Sequence, residues 1–168
     1  MKYYKNGLKI TSKVIGITLL LFASLASNAQ QSHPEYAGVK LVIDNFFESI
    51  NTGNGELLAS LEVEGAQILN IREETAGEYE FAARNWFTAE NFSSDTQLTE
   101  RYWDEELLIS DVLAVFWASY DFHIDGEFSH CGVDVLNLIK IEGEWKIGHA
   151  MWTIQQPGCE ASPLGPLN

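Results

Sequence analysis

The chain has 168 residues, 46% of them hydrophobic, and a formal net charge of −14 at pH 7, a size that suits one domain with a single core. Its acidity argues against nucleic acid and anionic membrane surfaces as partners, because both would be repelled.

At the N-terminus, Lys2, Lys5, Lys9 and Lys13 precede an apolar stretch from Val14 to Ala26, and Ser27-Asn28-Ala29 offers small residues for cleavage. Residues 1–29 therefore read as a signal peptide, too short for a membrane span of about 20 apolar residues. Cleavage after Ala29 would release a periplasmic or secreted product with no membrane attachment. All 24 acidic residues lie beyond residue 29 while four of the ten basic ones do not, so 6 basic against 24 acidic residues leaves the mature chain at −18.

Residues 30–156 read as the domain. Val39, Val42, Ile43, Phe46, Phe47 and Ile50 recur at three- and four-residue spacing, predicting an amphipathic helix over Tyr36–Asn51 that ends before Gly53. Glu56–Leu61 reads as a short second helix and Ala66–Ile71 as a strand. Glu78–Ala89 is expected to form a third helix with the stripe Phe81, Ala82, Trp86 and Ala89, and it carries Arg84, a candidate anion partner for a ligand. Glu90–Thr99 is a polar loop, Arg101–Ser110 a strand and Asp111 a break. Residues 157–168, with three prolines and two glycines, form an irregular tail.

Asp125-Gly126 and Glu142-Gly143 are two-residue hairpin signals, since both central residues of a type I′ turn need positive φ. They predict a three-stranded meander in which Asp121 pairs with His130, Trp117 with Asp134, and Asp134 with Met151. Alternation then places Trp117, Ser119, Asp121, His130, Asp134, His149 and Met151 on one face, apolar at one end and ionisable at the other. Phe116, Tyr120, Phe122, Cys131, Val133, Val135, Trp152 and Ile154 fall on the opposite face. That second face is apolar enough to predict a homodimer through Phe116, Tyr120, Phe122, Val133 and Trp152.

The mixed face is the candidate site. His130 beside Asp121 would be a base oriented by a carboxylate, while Asp134 among apolar side chains would have a raised pKa suited to a general acid or base. Structural hydrogen bonding explains the same residues without catalysis. Trp117, His149, Met151 and Ser119 would contact a flat apolar or aromatic ligand. No His-Glu-x-x-His, Gly-x-Ser-x-Gly or phosphate-loop pattern occurs, so no metal or cofactor is expected. Cys131 and Cys159 are the two cysteines, and an exported chain would join them into a disulfide that staples the tail.

Helices followed by a run of antiparallel strands predict an α+β fold with helices on one face of a curved sheet. The stretches Val115-Phe116-Trp117-Ala118-Ser119-Tyr120-Asp121-Phe122, Asp125-Gly126-Glu127-Phe128-Ser129-His130-Cys131-Gly132-Val133-Asp134 and Gly143-Glu144-Trp145-Lys146-Ile147 resemble the nuclear transport factor 2-like superfamily. Within it, the chain looks similar to the SnoaL-like proteins and to an exported branch named for lumazine binding. The resemblance implies a cone-shaped fold with a cavity between sheet and helices, and dimers through the sheet's outer face. It implies no single activity, since members isomerise, dehydrate, cyclise or only bind. The expected function is small-molecule binding by an exported dimer. The alternatives are a lyase or isomerase that moves a proton with Asp134 or the His130 and Asp121 pair, and an interaction module with no active pocket.

Overall fold

A computed structural model describes residues 31–167 apart from 76, 93–95 and 157, with the side chains of Glu90 and Asn91 also left aside. The expected signal peptide, residues 1–29, lies outside the described residues. Helix α1 spans Tyr36–Thr52 and buries the predicted stripe of Val39, Val42, Ile43, Phe46, Phe47 and Ile50. It ends at Gly53, whose φ of 65° is left-handed and whose N–H bonds back to the Ile50 and Ser49 carbonyls. Helix α2, Gly55–Ser60, is capped by Asn54, whose side chain accepts from the Leu57 N–H at 3.0 Å.

Six strands follow: β1 Glu62–Thr75, β2 Glu78–Asn85, β3 Leu98–Ile109, β4 Leu113–Ile124, β5 Glu127–Ile141 and β6 Glu144–Ile154. They form one sheet in the order β2-β1-β6-β5-β4-β3, antiparallel except for the parallel β1–β6 pair. Both helices cover one face, where Phe47 packs on Tyr102 and Phe116. The N-terminus of α1 is tied to the sheet by Glu35, whose carboxylate accepts from Lys140 at 2.6 Å and from the Trp145 indole at 2.9 Å.

The segment expected to be a third helix is instead strand β2, and the four residues Ala89–Phe92 after it form a short helix, α3. Every β2 residue is exposed, so the strand is held by its ladder with β1 and not by burial. Glu78-Tyr79-Glu80-Phe81 does alternate with period two, but the run is short, and Ala82, Ala83 and Arg84 after it favour a helix by propensity. The polar segment from Glu90 also differs from expectation, since it opens inside α3 and Leu98 already belongs to β3.

Both hairpin turns form as expected. Asp125 and Gly126 have φ of 52° and 83°, Glu142 and Gly143 of 53° and 91°, and Ile124 pairs with Glu127 and Ile141 with Glu144. A few residues beyond each turn, however, one residue is extra. His123 pairs with Phe128 but Phe122 pairs with His130, leaving Ser129 as a bulge; Leu138 pairs with Ile147 but Asn137 with His149, leaving Gly148 as another. Each bulge shifts the later pairs by one. Asp134 therefore lies beside Ala118 and Trp152 instead of Trp117 and Met151, and Asp121 lies beside Cys131 instead of His130.

The consequence is an exchange of faces. Phe116, Ala118 and Tyr120, at 0%, 0% and 1% exposure, face the helices together with Asp134 and Leu136. Of the dimer face expected from Phe116, Tyr120, Phe122, Val133 and Trp152, only Val133, which pairs with Ser119, is on the outer face; the other four face the helices and the core. Trp117, Ser119, His149 and Met151 turn to the outer face of the sheet, where Trp117 is 38% exposed.

On that outer face the tail returns across the sheet. Gln155 exchanges backbone hydrogen bonds with Cys131, and the disulfide joins Cys131 to Cys159 across 28 residues, as expected. Ser162 then hydrogen-bonds to buried Asp121, which also takes a bidentate ion pair from Arg101 at 2.9 and 2.5 Å. Among the described residues no helix is long and apolar enough to cross a membrane.

Candidate functional site

Between α1, α3 and the inner sheet face lies a cavity of about 90 Å³. Its wall is aromatic: Phe87 and Phe92 from the segment after β2, Tyr120 and Phe122 from β4, and Trp152 from β6. Phe46 and Ile50 of α1 close the helical side, and Glu100, His130 and Asp134 supply the polar groups. Drug-sized ligands occupy roughly 300 Å³ or more, and a dry cavity of about 150 Å³ accepts benzene, so this smaller space suits part of a ring-bearing molecule whose remainder lies at the mouth.

Gly132 makes the wall possible. A Cβ there would lie 2.0 Å from the Thr153 carbonyl oxygen and 2.7 Å from a Tyr120 ring carbon. Without one, the Tyr120 ring passes over β5 and its hydroxyl donates to the Thr153 carbonyl at 2.7 Å, while the Val133 N–H turns to the Thr153 hydroxyl at 3.0 Å. His130 stacks on Phe122 with centroids 4.8 Å apart and meets the Tyr120 edge at 5.7 Å. Burial, aided by the positive charge of Arg72, lowers the His130 pKa to about 4, so its ring is neutral at pH 7.

The chemical centre is a pair of carboxyls. Asp134 on β5 and Glu100 on β3 are 3% and 7% exposed, and their side chains are hydrogen-bonded to each other. Burial raises Asp134 to about 8 against the opposing effect of that hydrogen bond. Burial and the neighbouring Asp134 raise Glu100 well above its ordinary value. Two adjacent carboxyls in an apolar wall cannot both ionise, so the pair retains a proton at neutral pH. Asp134 Oδ2 is buried without a hydrogen-bond partner. The same burial and the same two carboxyls push the Tyr120 hydroxyl well up, which keeps it a neutral donor.

Of the residues predicted for the site, Asp134 and His130 line the cavity, and Asp121, Trp117, Ser119, His149 and Met151 do not. The Asp121 and His130 pairing is overturned by the Ser129 bulge. Asp121 is committed to Arg101 and lies 3.5 Å from His123. Its carboxyl stays below its usual range because hydrogen bonds from Arg101 and Ser162 and the Arg101 charge outweigh burial. His149 approaches Asn137 at 3.4 Å on the outer face. Arg84 is on β2, not on a helix, and its guanidinium lies over Phe87 and Trp152 at 4.7 and 5.9 Å.

Glu100 is the residue that sequence reasoning missed. Starting β3 at Leu98 puts Leu98, Glu100 and Tyr102 on one side by alternation, which would have set a carboxylate on an apolar face. Asn51 at the end of α1 fixes that position, accepting from the Glu100 N–H at 2.6 Å and donating to its carbonyl at 3.0 Å.

This sheet order, with helices against its inner face and a cavity between, is the nuclear transport factor 2-like fold. No family model and no curated protein matches the chain. Solved structures do match in fold. A nuclear transport factor 2-like protein from Cytophaga hutchinsonii superposes with a TM-score of 0.53 at 14% identity, over 73% of this chain and 99% of that one. A candidate scytalone dehydratase from Novosphingobium aromaticivorans gives 0.55 at 10% identity, over 80% and 93%. The beta subunit of a candidate aromatic-ring-hydroxylating dioxygenase from the same organism gives 0.56 at 11% identity, over 85% and 99%.

Proposed function

We propose that the chain is an exported protein that binds a small, flat molecule in the inner cavity, with protonated Asp134 donating a hydrogen bond to an uncharged oxygen of the ligand. One observation carries this reading: Asp134 Oδ2 is buried and unpartnered in a wall of aromatic rings. A buried polar atom without a partner costs about 1 to 3 kcal/mol, which a ligand oxygen would recover. Export is supported by the lysine-led apolar segment at the N-terminus and by the Cys131–Cys159 disulfide, a bond that persists in oxidising compartments. Dimerisation is supported by the outer sheet face, where Leu108, Leu113 and Trp117 are 64%, 57% and 38% exposed.

The hydrogen-bonded Glu100 and Asp134 favour a second reading, a lyase or isomerase. The ionised member of the pair would take a proton from carbon beside a carbonyl, and the protonated member would return it to a second atom. One of the fold neighbours is a candidate dehydratase, which fits this class of reaction. The test is a screen of single-ring ketones, phenols and amides by ligand-observed NMR against the wild type and Asp134→Asn. Binding weakened by about 1 to 3 kcal/mol in the variant is expected. Ligands that bind both proteins equally would place the site elsewhere. Solvent deuterium entering a bound ketone only with both carboxyls present would select the enzyme.

A further inference from the structure

We infer that Arg84 forms an anion subsite at the mouth of this cavity, so that the ligand is a small ring bearing a carboxylate or a similar single negative charge. The inference rests on the pocket reading above and adds the charge of the ligand. Arg84 pairs with buried Ile68 across the β1–β2 ladder, which puts both on the inner face of the sheet. Its guanidinium lies 4.7 Å from the Phe87 ring centroid and 5.9 Å from that of Trp152, two rings of the cavity wall. Trp152 in turn pairs with Asp134 across the β5–β6 ladder. The carboxyl pair, the aromatic wall and the guanidinium are therefore neighbours in succession across one face.

The charge pattern singles out this arginine. Beyond residue 30 the chain holds six lysines and arginines against 24 acidic residues. Lys40, Arg101, Lys140 and Lys146 are paired with Asp44, Asp121, Glu35 and Glu144, and Arg72 is 3.8 Å from Glu74. Among the described residues Arg84 makes no ion pair and donates no hydrogen bond. A guanidinium stacked on aromatic rings keeps its in-plane N–H groups available, in the fork geometry that receives a carboxylate. Arg72, on the same hairpin and the same face, adds a second positive charge, felt by both Tyr120 and His130. The opposing groups are Glu80, which pairs with Arg72 in the ladder, and the Glu100 and Asp134 pair, which retains a proton.

The experiment compares phenylacetate with phenylacetamide, two probes of one shape and different charge, titrated into the purified protein and followed by NMR at the Trp152 indole. The wild type should bind phenylacetate about tenfold more tightly or better, the worth of a charge-assisted hydrogen bond. Arg84→Gln should bring the two probes within about twofold by weakening only phenylacetate, and salt should narrow the wild-type preference. Unchanged phenylacetamide binding in Arg84→Gln serves as the control for an intact pocket. Equal binding of the probes by the wild type, or a preference that survives Arg84→Gln, would overturn the subsite while leaving the pocket. A wild type that binds neither probe would overturn both.

Discussion

The Glu100 and Asp134 carboxyls meet in an aromatic wall, one from β3 and one from β5, with β4 between them. Their juxtaposition makes the inner cavity chemically unlike the rest of the core, and it sets the protein's pH behaviour.

Stability should fall as pH rises above neutrality. The folded pair holds protons that the unfolded chain, with ordinary values of 4.5 and 3.8, releases by about pH 5. The folded state therefore binds more protons, and stability drops until Asp134 ionises at about 8. His130 works in the opposite sense between its ordinary 6.5 and about 4, where only the unfolded chain protonates it. The decline is thus steepest from pH 6.5 to 8, at up to about 1.4 kcal/mol per pH unit for each proton. Urea titrations at several pH values would read it. The Glu100→Gln, Asp134→Asn double variant should flatten the curve in that window, and an unchanged slope would contradict the assignment.

Asp121 should behave as a structural residue. Asp121→Asn leaves Arg101 without its bidentate partner and should cost about 3 kcal/mol by chemical denaturation. Because Asp121 is on the outer face, probe binding in the cavity should not change, in contrast with Asp134→Asn. Because its carboxyl is held low, its contribution is complete above its unfolded value and disappears as pH falls through the folded one.

The disulfide should stabilise the tail and the fold without touching the cavity. Closing a segment of 28 residues contributes about 3 to 4 kcal/mol by loop entropy. The Cys131→Ser, Cys159→Ser variant should lose about that much and should expose the amide hydrogens of residues 158–167 to exchange. Full retention of stability would mean that Ser162 and the Gln155 bridge hold the tail alone.

Dimerisation, if it follows the outer face, should depend on Trp117. Trp117→Arg should convert a dimeric mass to a monomeric one by light scattering at micromolar concentration, with the fold intact. A wild type that is already monomeric would dismiss the dimer.

Gly132→Ala should be among the most damaging single changes, since the added Cβ meets the Thr153 backbone at 2.0 Å and the Tyr120 ring at 2.7 Å. A loss above about 3 kcal/mol is expected, with the Tyr120 to Thr153 hydrogen bond broken. A thermal melt like that of the wild type would disprove the close approach.

Local chemistry made much of this protein legible from its sequence alone. The stripe from Val39 to Ile50, Gly53 as helix stop, both type I′ turns, the cysteine pairing and the α+β class each follow from residues near one another or from simple pairing, and all stand in the structure. What only the tertiary structure decided is which residues share a face. Without the bulges at Ser129 and Gly148, Asp134 would share a face with Trp117, Ser119 and Asp121 instead of with Phe116, Ala118 and Tyr120. Burying each such aromatic is worth about 1.5 to 3 kcal/mol, against about 1 kcal/mol for a ladder hydrogen bond given up at a bulge. Packing against α1 therefore outweighs regular pairing, and it is this long-range balance that removes Asp121 from the site and brings Glu100 to Asp134.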